Sequence, residues 1–563
     1  MKYRKYNPQE RKVAYFSMEI GLEAEIPVYS GGLGILAGDT LKSMADLKVP
    51  AVGLTLLNEK GFLYQDIDAA GNQLETPVNW DYKGLLQPLS EKISVGIEGR
   101  DVIVQGWVYE VRGISGGTVP VIFLDTNVDA NSAEDRRITS YLYGGDRRYR
   151  LMQEVVLGVG GVRLLQVLDH DQLEAYHMNE GHSALLTLEL MDRYEGDLEK
   201  VRDLCVFTTH TPIAAGHDSF DLDTAKKVLG GTWDVESLRH DNIIDPNGRL
   251  NMTYLALYHS KYINGVAKKH GEITQKMFPG YNVSAITNGI HTPTWVSKPM
   301  AAVFDKHLPS WRTDPYTLRN ALMIPQEDVS KAHAEAKKTL IDFVNFHYKT
   351  SMDYETLTIG FARRAAAYKR ADLIFSDIKR LKQIAGKPSK IQLIFGGKAH
   401  PQDGDGKEII KKIHSHMAEV KDTIQVAYLK NYEIFSAKLM VSGTDLWLNT
   451  PQRPMEASGT SGMKAAVNGV INFSILDGWW IEGHIEGHTG WSIGSKTAGQ
   501  NPAEDSEADR KDLYEKLEKH ILPTYYRKRK WWEEMMLQNI ALNGSFFNTH
   551  RMVSQYVTNS YYH

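Results

Sequence analysis

Residues 445–476 constrain this chain more than any other stretch. Asp445-Leu446-Trp447-Leu448-Asn449-Thr450 is a short apolar run that predicts a strand. Glu456-Ala457-Ser458-Gly459-Thr460-Ser461-Gly462 is a small, polar loop. Met463-Lys464-Ala465-Ala466-Val467 predicts the start of a helix, and Val470–Leu476 a second strand. Strand, glycine-containing loop, helix, strand is the βαβ arrangement in which the N–H groups of a helix N-terminus face an anion. Lys464 falls in the first turn of that helix, where its charge opposes the dipole. Desolvation and the positive helix end would both favour the neutral amine that condenses with a carbonyl. A solvated surface lysine is the other reading, and the stretch alone leaves both open. The spacing of Gly459, Gly462 and Lys464 is not that of a Walker A loop, so a P-loop nucleotide site is excluded.

A chain of 563 residues is too long for one compact core, so two or three domains are expected. A net charge of −4 gives no electrostatic footprint for nucleic acid or an anionic membrane. The single cysteine, Cys205, lies in an apolar run and reads as a buried, inert thiol. The opening residues lack the apolar core of a signal peptide, and no run of apolar residues is long enough to span a membrane, so a cytoplasmic location is expected. Eleven Trp and 28 Tyr suit a protein that stacks sugar rings, although a large core explains the number equally well.

Strand and helix patterns alternate along the chain. Lys12–Met18 predicts a strand, Tyr29-Ser30-Gly31-Gly32-Leu33-Gly34 a glycine turn, and Ile35–Leu47 a helix. Strands are predicted over Pro50–Leu57, Ile103–Val111 and Val119–Asp125. Residues 134–169 read as helical with a break at Gly144-Gly145. A strand over Leu173–Met178 ends in Asn179-Glu180-Gly181-His182, and one over Leu204–Thr209 ends in His210-Thr211-Pro212. Ser260–His270 reads as helix, and Val283–Ile286 as a strand ending in Thr287-Asn288-Gly289. Glu180, His182, His210 and Asn288 thus lie at strand C-terminal ends, where open α/β sheets bind ligands. Residues 298–317 carry three prolines and little periodicity, and read as a linker. A long helix over Gln326–Lys349 then precedes a second series: strands 356–361, 391–395, 424–428 and 445–449, with helices near 368–384, 407–419 and 432–440. Alternation of this kind implies parallel sheets with helices on both faces: two doubly wound Rossmann-like α/β domains facing a central cleft. The expected division is 1–310, 311–535 and a helical segment 536–563 that packs back on the first domain.

A basic cluster, Arg363-Arg364-Ala365-Ala366-Ala367-Tyr368-Lys369-Arg370, follows the first strand of the second series. Arg364 and Lys369 at such a junction could face a phosphate or carboxylate; a solvated basic face is the alternative. Gly396-Gly397-Lys398-Ala399 adds another glycine turn with a cation. No metal-ligand spacing occurs, so no metal is expected.

The stretch EASGTSGMKAAVNG closely resembles the cofactor-lysine motif of the α-glucan phosphorylases. YSGGLGILAGDTLKSMADL, LYGGDRRYRLMQE, NEGHSALL, TTHTP, SKYINGVAKKHGEITQKMFPG, TNGIHTPTW, ARRAAAYKR and FGGKAHP resemble the same family in the same order. The resemblance covers about Val13–Val557 and is nearest to the short prokaryotic branch. It implies the GT-B glycosyltransferase architecture and reversible, retaining phosphorolysis of terminal α-1,4-linked glucose from glycogen, starch or maltodextrin. Inorganic phosphate is the attacking substrate and glucose 1-phosphate the product. It also implies pyridoxal 5′-phosphate in Schiff-base linkage to Lys464, with the cofactor phosphate as acid–base partner, and a homodimer.

By that resemblance Lys464, Arg364, Lys369 and His210 carry the chemistry, Arg364 and Lys369 by binding the substrate phosphate. Gly32, Trp295, Arg363, Tyr432, Thr460 and Ser461 line the cofactor. Gly31, Leu33, Glu180, His210, Thr211, Asn288, Glu456, Ala457, Ser458 and Gly459 surround the sugar. Three departures stand out: Glu433 follows Tyr432 where long members carry arginine, Ala365–Ala367 replace bulkier polar residues, and Glu180 replaces an aspartate. Two alternatives are a nucleotide-sugar-dependent glucan synthase with the same fold, which needs no lysine at position 464, and a non-catalytic glucan-binding protein.

Overall fold

The computed structural model describes residues 7–240, 242–386, 389–494 and 502–562. The chain forms two compact units. Unit 1 comprises the chain through Leu63, Pro77–Thr287 and the segment from Met552; unit 2 comprises Tyr64–Thr76 and Asn288–Arg551. The boundary therefore falls at Thr287, not near residue 310, and only the part of 536–563 beyond Arg551 joins unit 1.

Unit 1 is built on a nine-stranded sheet: β1 (Val13–Phe16), β2 (Ala51–Leu56), β3 (Gln87–Ile97), β4 (Arg100–Arg112), β5 (Thr118–Asp125), β6 (Ala175–Asn179), β7 (Cys205–Thr208), β8 (Tyr262–Gly265) and β9 (Val283–Ala285). Their spatial order is β9-β8-β7-β6-β1-β2-β5-β4-β3. All neighbours are parallel except the β3–β4–β5 meander. The chain starts at β1, steps to β2, goes out to the edge at β3 and comes back through β4 to β5, then passes to the other side of β1 with β6. A crevice opens at such a reversal. Side-chain alternation makes β1 a shared wall: Ala14 and Phe16 enter the core on one face, Val13 and Tyr15 the core on the other.

One core contains Met552, Val553, Tyr556 and Tyr561, which explains why the last segment belongs to unit 1. Its tyrosines also complete a buried polar ladder across β6, β7 and β8. Thr208 donates to Asn264 Oδ1 (2.9 Å), so His177 Nε2 must donate to Thr208 Oγ1 (2.8 Å) and His177 Nδ1 accept from the Tyr561 hydroxyl (2.6 Å). Burial pushes the His177 pKa down to about 3, in keeping with that neutral ring. Asn264 Nδ2 donates to the Tyr556 hydroxyl at 3.0 Å.

Unit 2 carries a six-stranded, all-parallel sheet: β10 (Leu357–Ala362), β11 (Ile391–Gly396), β12 (Gln425–Leu429), β13 (Leu446–Asn449), β14 (Ile471–Ile475) and β15 (Gly490–Ile493), ordered β12-β11-β10-β13-β14-β15. The reversal here lies between β10 and β13. A hairpin, Tyr64–Ile67 and Gln73–Thr76, reaches this unit from the N-terminal half. Its buried Gln65 donates to Gly397 O (2.9 Å), and Gln73 both donates to Ala399 O (3.0 Å) and accepts from Ala399 N (2.9 Å), bracketing Lys398. The long helix Gln326–Tyr348 is anchored by Lys337, whose ammonium donates to Asp445 (2.6 Å), Thr356 O (2.8 Å) and the Tyr525 hydroxyl (3.0 Å).

Several local expectations are corrected. Residues 260–270 are not one helix but β8 followed by the helix Lys268–Met277. Residues 298–317 are not a linker: Lys298–His307 is a helix with Pro299 in its first turn, where proline's missing N–H is harmless. Pro315 likewise opens a 3-10 segment, Pro315–Met323. The helix near 368–384 shortens to Ile378–Ile384 behind two 3-10 turns. The helix after the first glycine turn begins at Gly32, so Gly32-Leu33-Gly34 is its first turn. The β3 strand and the 64–76 hairpin have no counterpart in the sequence reading.

Candidate active site

The candidate residues of unit 1 follow strands at its reversal. The turn Gly31–Leu33 follows β1, Glu180 follows β6, and His210 and Thr211 follow β7. Glu180 is buried and takes φ +75°, a left-handed conformation. That turn lets its carboxylate accept from His210 N (2.7 Å), Thr211 Oγ1 (2.9 Å) and Gly181 N (3.1 Å). Burial raises the Glu180 pKa despite those donors. His210 Nε2 lies 2.7 Å from Asn179 Oδ1, whose amide donates to Ser17 Oγ. That nitrogen therefore donates, and Nδ1 keeps its lone pair. Burial, with a smaller push from other histidines, lowers the His210 pKa to about 3, so the ring works as a neutral group.

The two glycines of the turn are not there for packing. A Cβ placed on Gly31 or Gly32 meets only open space. Gly34 is different: its Cβ would lie 2.7 Å from the Glu19 carboxylate and 2.8 Å from Tyr29.

The unit 2 candidates gather at the second reversal. Arg363, Arg364 and Lys369 follow β10; the Glu456–Gly459 loop and Lys464 follow β13. Arg363 Nη1 lies 2.8 Å from Glu456 Oε2, and the Lys369 ammonium binds the same oxygen. Burial alone would raise the Glu456 carboxyl, but the charges of Arg363 and Lys369 outweigh it and hold the pKa at about 2. Gly459, at φ +74°, brings the loop back against Arg363. Arg364 is exposed and has no ion-pair partner among the described residues. Glu456 thus sits between the cations.

Lys464 is the fourth of seven residues in the helix Ser461–Val467. So short a helix exerts little net dipole field at its middle, and burial is the stronger influence. The side chain is only 7% exposed, with its ammonium 4.0 Å from the centre of the Trp295 ring. Asn468 ties that tryptophan in place, donating to Trp295 O (2.9 Å) and Lys464 O (2.9 Å). Trp447 Nε1 donates to Ser461 Oγ at 3.1 Å. Asn288 is buried at the start of unit 2, and its carbonyl accepts from Arg551 (3.0 Å).

Tyr432 packs its ring against Gly396, where a Cβ would approach to 2.9 Å. Next to it, Glu433 caps the helix Ile434–Gly443 by a reciprocal bond with Ser436. Burial lowers the Lys398 pKa to about 8, and the Glu433 charge partly opposes that shift. The glutamate at this departure from the long members therefore faces a lysine and is not an isolated acid.

Sequence reasoning missed Asp477. Its carboxylate accepts from Glu456 N (2.9 Å) and Gly478 N (3.0 Å), gripping the Glu456 loop from behind. Burial, then the nearby Glu456 charge, raises its pKa to about 7. A carboxyl raised in the folded state stabilises most below its unfolded pKa and loses that contribution as pH rises through the folded value. Asp477→Asn should therefore flatten the stability profile between about pH 4 and 7, where wild type loses up to ~4 kcal/mol. Urea unfolding at pH 5 and pH 8 reads the difference, and parallel profiles would contradict it.

A family model described as carbohydrate phosphorylase matches residues 206–516. Maltodextrin phosphorylase of Thermococcus litoralis is 38% identical over 99% of this chain and 71% of its own length. Glycogen phosphorylases of Aquifex aeolicus and Mycobacterium tuberculosis are 32% and 33% identical, covering 100% and 98% of this chain and 87% and 70% of their own. Among the described residues no helix is long and apolar enough to cross a membrane. With two sheets whose cores are parallel, glycine turns at both reversals and a buried lysine behind a cationic loop, the chain belongs to the carbohydrate phosphorylase family, a family of glycosyltransferase enzymes.

Proposed function

We propose that the chain is an α-1,4-glucan phosphorylase of the GT-B type, with both units doubly wound. It transfers terminal glucose from glycogen, starch or maltodextrin to inorganic phosphate, reversibly and with retention, giving α-glucose 1-phosphate. The observation that carries this reading is the buried Arg363–Glu456–Lys369 cluster beside the loop that leads into buried Lys464. The names of the relatives supply the substrate class. Cytoplasmic location and a homodimer belong to the same reading; it needs neither nucleic acid nor a membrane.

The residues fit pyridoxal 5′-phosphate. Lys464 offers a buried amine against an aromatic face, and the chemistry around it suits a phosphate: hydroxyls of Thr460 and Ser461 at a helix start and the guanidinium of Arg363. Lys464 would hold the group covalently, with Gly32, Trp295, Tyr432, Thr460 and Ser461 around it. When bound, it supplies a second phosphate whose pKa of about 6 suits proton exchange at neutral pH. The chain does the rest. Arg364 and Lys369 take the substrate phosphate and offset repulsion between neighbouring anions. Glu456 holds Lys369 and Arg363 in place until an anion arrives. Gly31, Leu33, Asn288, Ala457, Ser458 and Gly459 shape the sugar site. Glu180 and the neutral His210 present acceptors to sugar hydroxyls, and their burial limits access of water.

The test is release of glucose 1-phosphate from maltodextrin with and without inorganic phosphate. Phosphate-dependent release is expected; release that needs a nucleotide diphosphate instead would favour the glucan synthase reading. Arg364→Ala should raise the KM for phosphate about 10- to 100-fold, the loss of one charge-assisted contact, with the fold intact because this side chain is exposed. An unchanged KM for phosphate would remove Arg364 from the site.

A further inference from the structure

The motif LYGGDRRYRLMQE has no role in the reaction as described so far, yet it converges on the glycine turn. Glu19 lies three residues beyond β1 and is 3% exposed. Its Oε2 accepts from Ser30 N (2.5 Å) and Gly31 N (3.3 Å), and the Ser30 hydroxyl lies 3.2 Å away. Its Oε1 accepts from the Tyr143 hydroxyl at 3.0 Å. Arg150 stacks on the Tyr143 ring at 4.5 Å and donates to Asp218 (2.9 Å). Asp218 in turn lies 3.5 Å from Nε2 of His182, two residues beyond Glu180. A continuous chain of partly buried contacts therefore runs from the Ser30–Gly31 backbone, through Glu19, Tyr143, Arg150 and Asp218, to the segment that carries Glu180.

The Glu19 carboxylate takes up the amides of Ser30 and Gly31, which precede the helix Gly32–Asp46, while a Cβ on Gly31 or Gly32 would meet nothing within 4 Å. Gly34 is required so that Glu19 can come this close. The glycine turn is consequently held by a side chain as well as by the backbone bond from Gly21 N to Gly34 O (2.8 Å).

We infer that Glu19 and Tyr143 are positioning residues that fix the height and orientation of the Gly31–Leu33 turn, and through it the sugar site that this turn is proposed to shape. This rests on the phosphorolysis reading for its kinetic half only. Glu19→Ala removes both acceptors. Glu19→Gln keeps one oxygen for the two amides and an NH₂ that the Tyr143 oxygen can accept. Tyr143→Phe removes a single hydroxyl and leaves the ring under Arg150.

Hydrogen exchange of peptides spanning Ser30–Gly31, with KM for phosphate and for maltodextrin measured separately, tests the assignment. Glu19→Ala should speed exchange at the turn about tenfold or more and raise KM for maltodextrin by a similar factor, with KM for phosphate within about twofold. Tyr143→Phe should give a smaller change of the same kind, and Glu19→Gln should recover most of the loss. Glutamine behaving as alanine would overturn the inference, as would exchange rising across the whole sheet or both KM values rising together. If wild type lacks phosphate-dependent activity, the function assigned above falls, while exchange at the turn in the three variants still decides the positioning role.

Discussion

Lys464→Ala should lower glucan phosphorolysis by at least about 10⁴-fold, the scale for loss of a covalent catalytic centre. The fold should survive. The Lys464 ammonium lies over the Trp295 ring, and loss of such a contact removes only about 1–2 kcal/mol. The neighbouring Met463, Ala465, Ala466 and Val467 stay packed. Two readouts separate chemistry from folding. Wild type incubated with pyridoxal phosphate should show a near-ultraviolet absorption band that borohydride renders irreversible, with the label on the peptide containing Lys464. The variant should show neither, at an unchanged circular dichroism spectrum. A variant that keeps its activity without added cofactor would refute the assignment of Lys464.

Removing Glu456 should have the largest effect on stability. Its carboxylate is shared by Arg363 and Lys369, both largely buried. Glu456→Ala leaves two cations without their counter-ion, a change that costs about 3–5 kcal/mol when a buried pair is broken. The same argument gives a pH signature. Because the folded carboxyl is held at about 2, its contribution is present above the unfolded value near 4.3 and fades as pH falls towards 2. Millimolar inorganic phosphate should restore part of the loss, since an anion bound only by the folded state adds stability by mass action. The variant's melting temperature should therefore climb more steeply with phosphate than that of wild type. Equal slopes would mean that Arg363 and Lys369 do not face a phosphate site.

Much of the architecture was legible because its signals are local. Apolar runs such as Val119–Leu124 and Ile391–Phe395 are long enough to read as buried strands. Others depend on partners far along the chain. Tyr262-Ile263-Asn264-Gly265 reads as part of a helix, yet it is a strand paired on both sides whose buried Asn264 donates to Tyr556. The prolines at 299 and 315 look like breaks, yet each opens a helical segment. The family motifs located both clusters of candidate residues. They could not reveal that Glu456 bridges Arg363 and Lys369, because that depends on the turn at Gly459. Nor could they reveal Glu19 and Asp477, single acids whose importance comes from the backbone amides they hold.

The exchange of segments between the units has a consequence for synthesis. A chain emerging from the ribosome folds by units, beginning at its N-terminus. Here the hairpin 64–76 leaves the first half early and must wait for the 391–431 region before Gln65 and Gln73 find their bonding partners. The ladder on His177 and Thr208 stays open until Tyr556 and Tyr561 have been made. Neither unit is complete before residue 551 has been made. Splitting this protein at residue 287 should therefore yield two fragments that each lack a segment packed in their own unit.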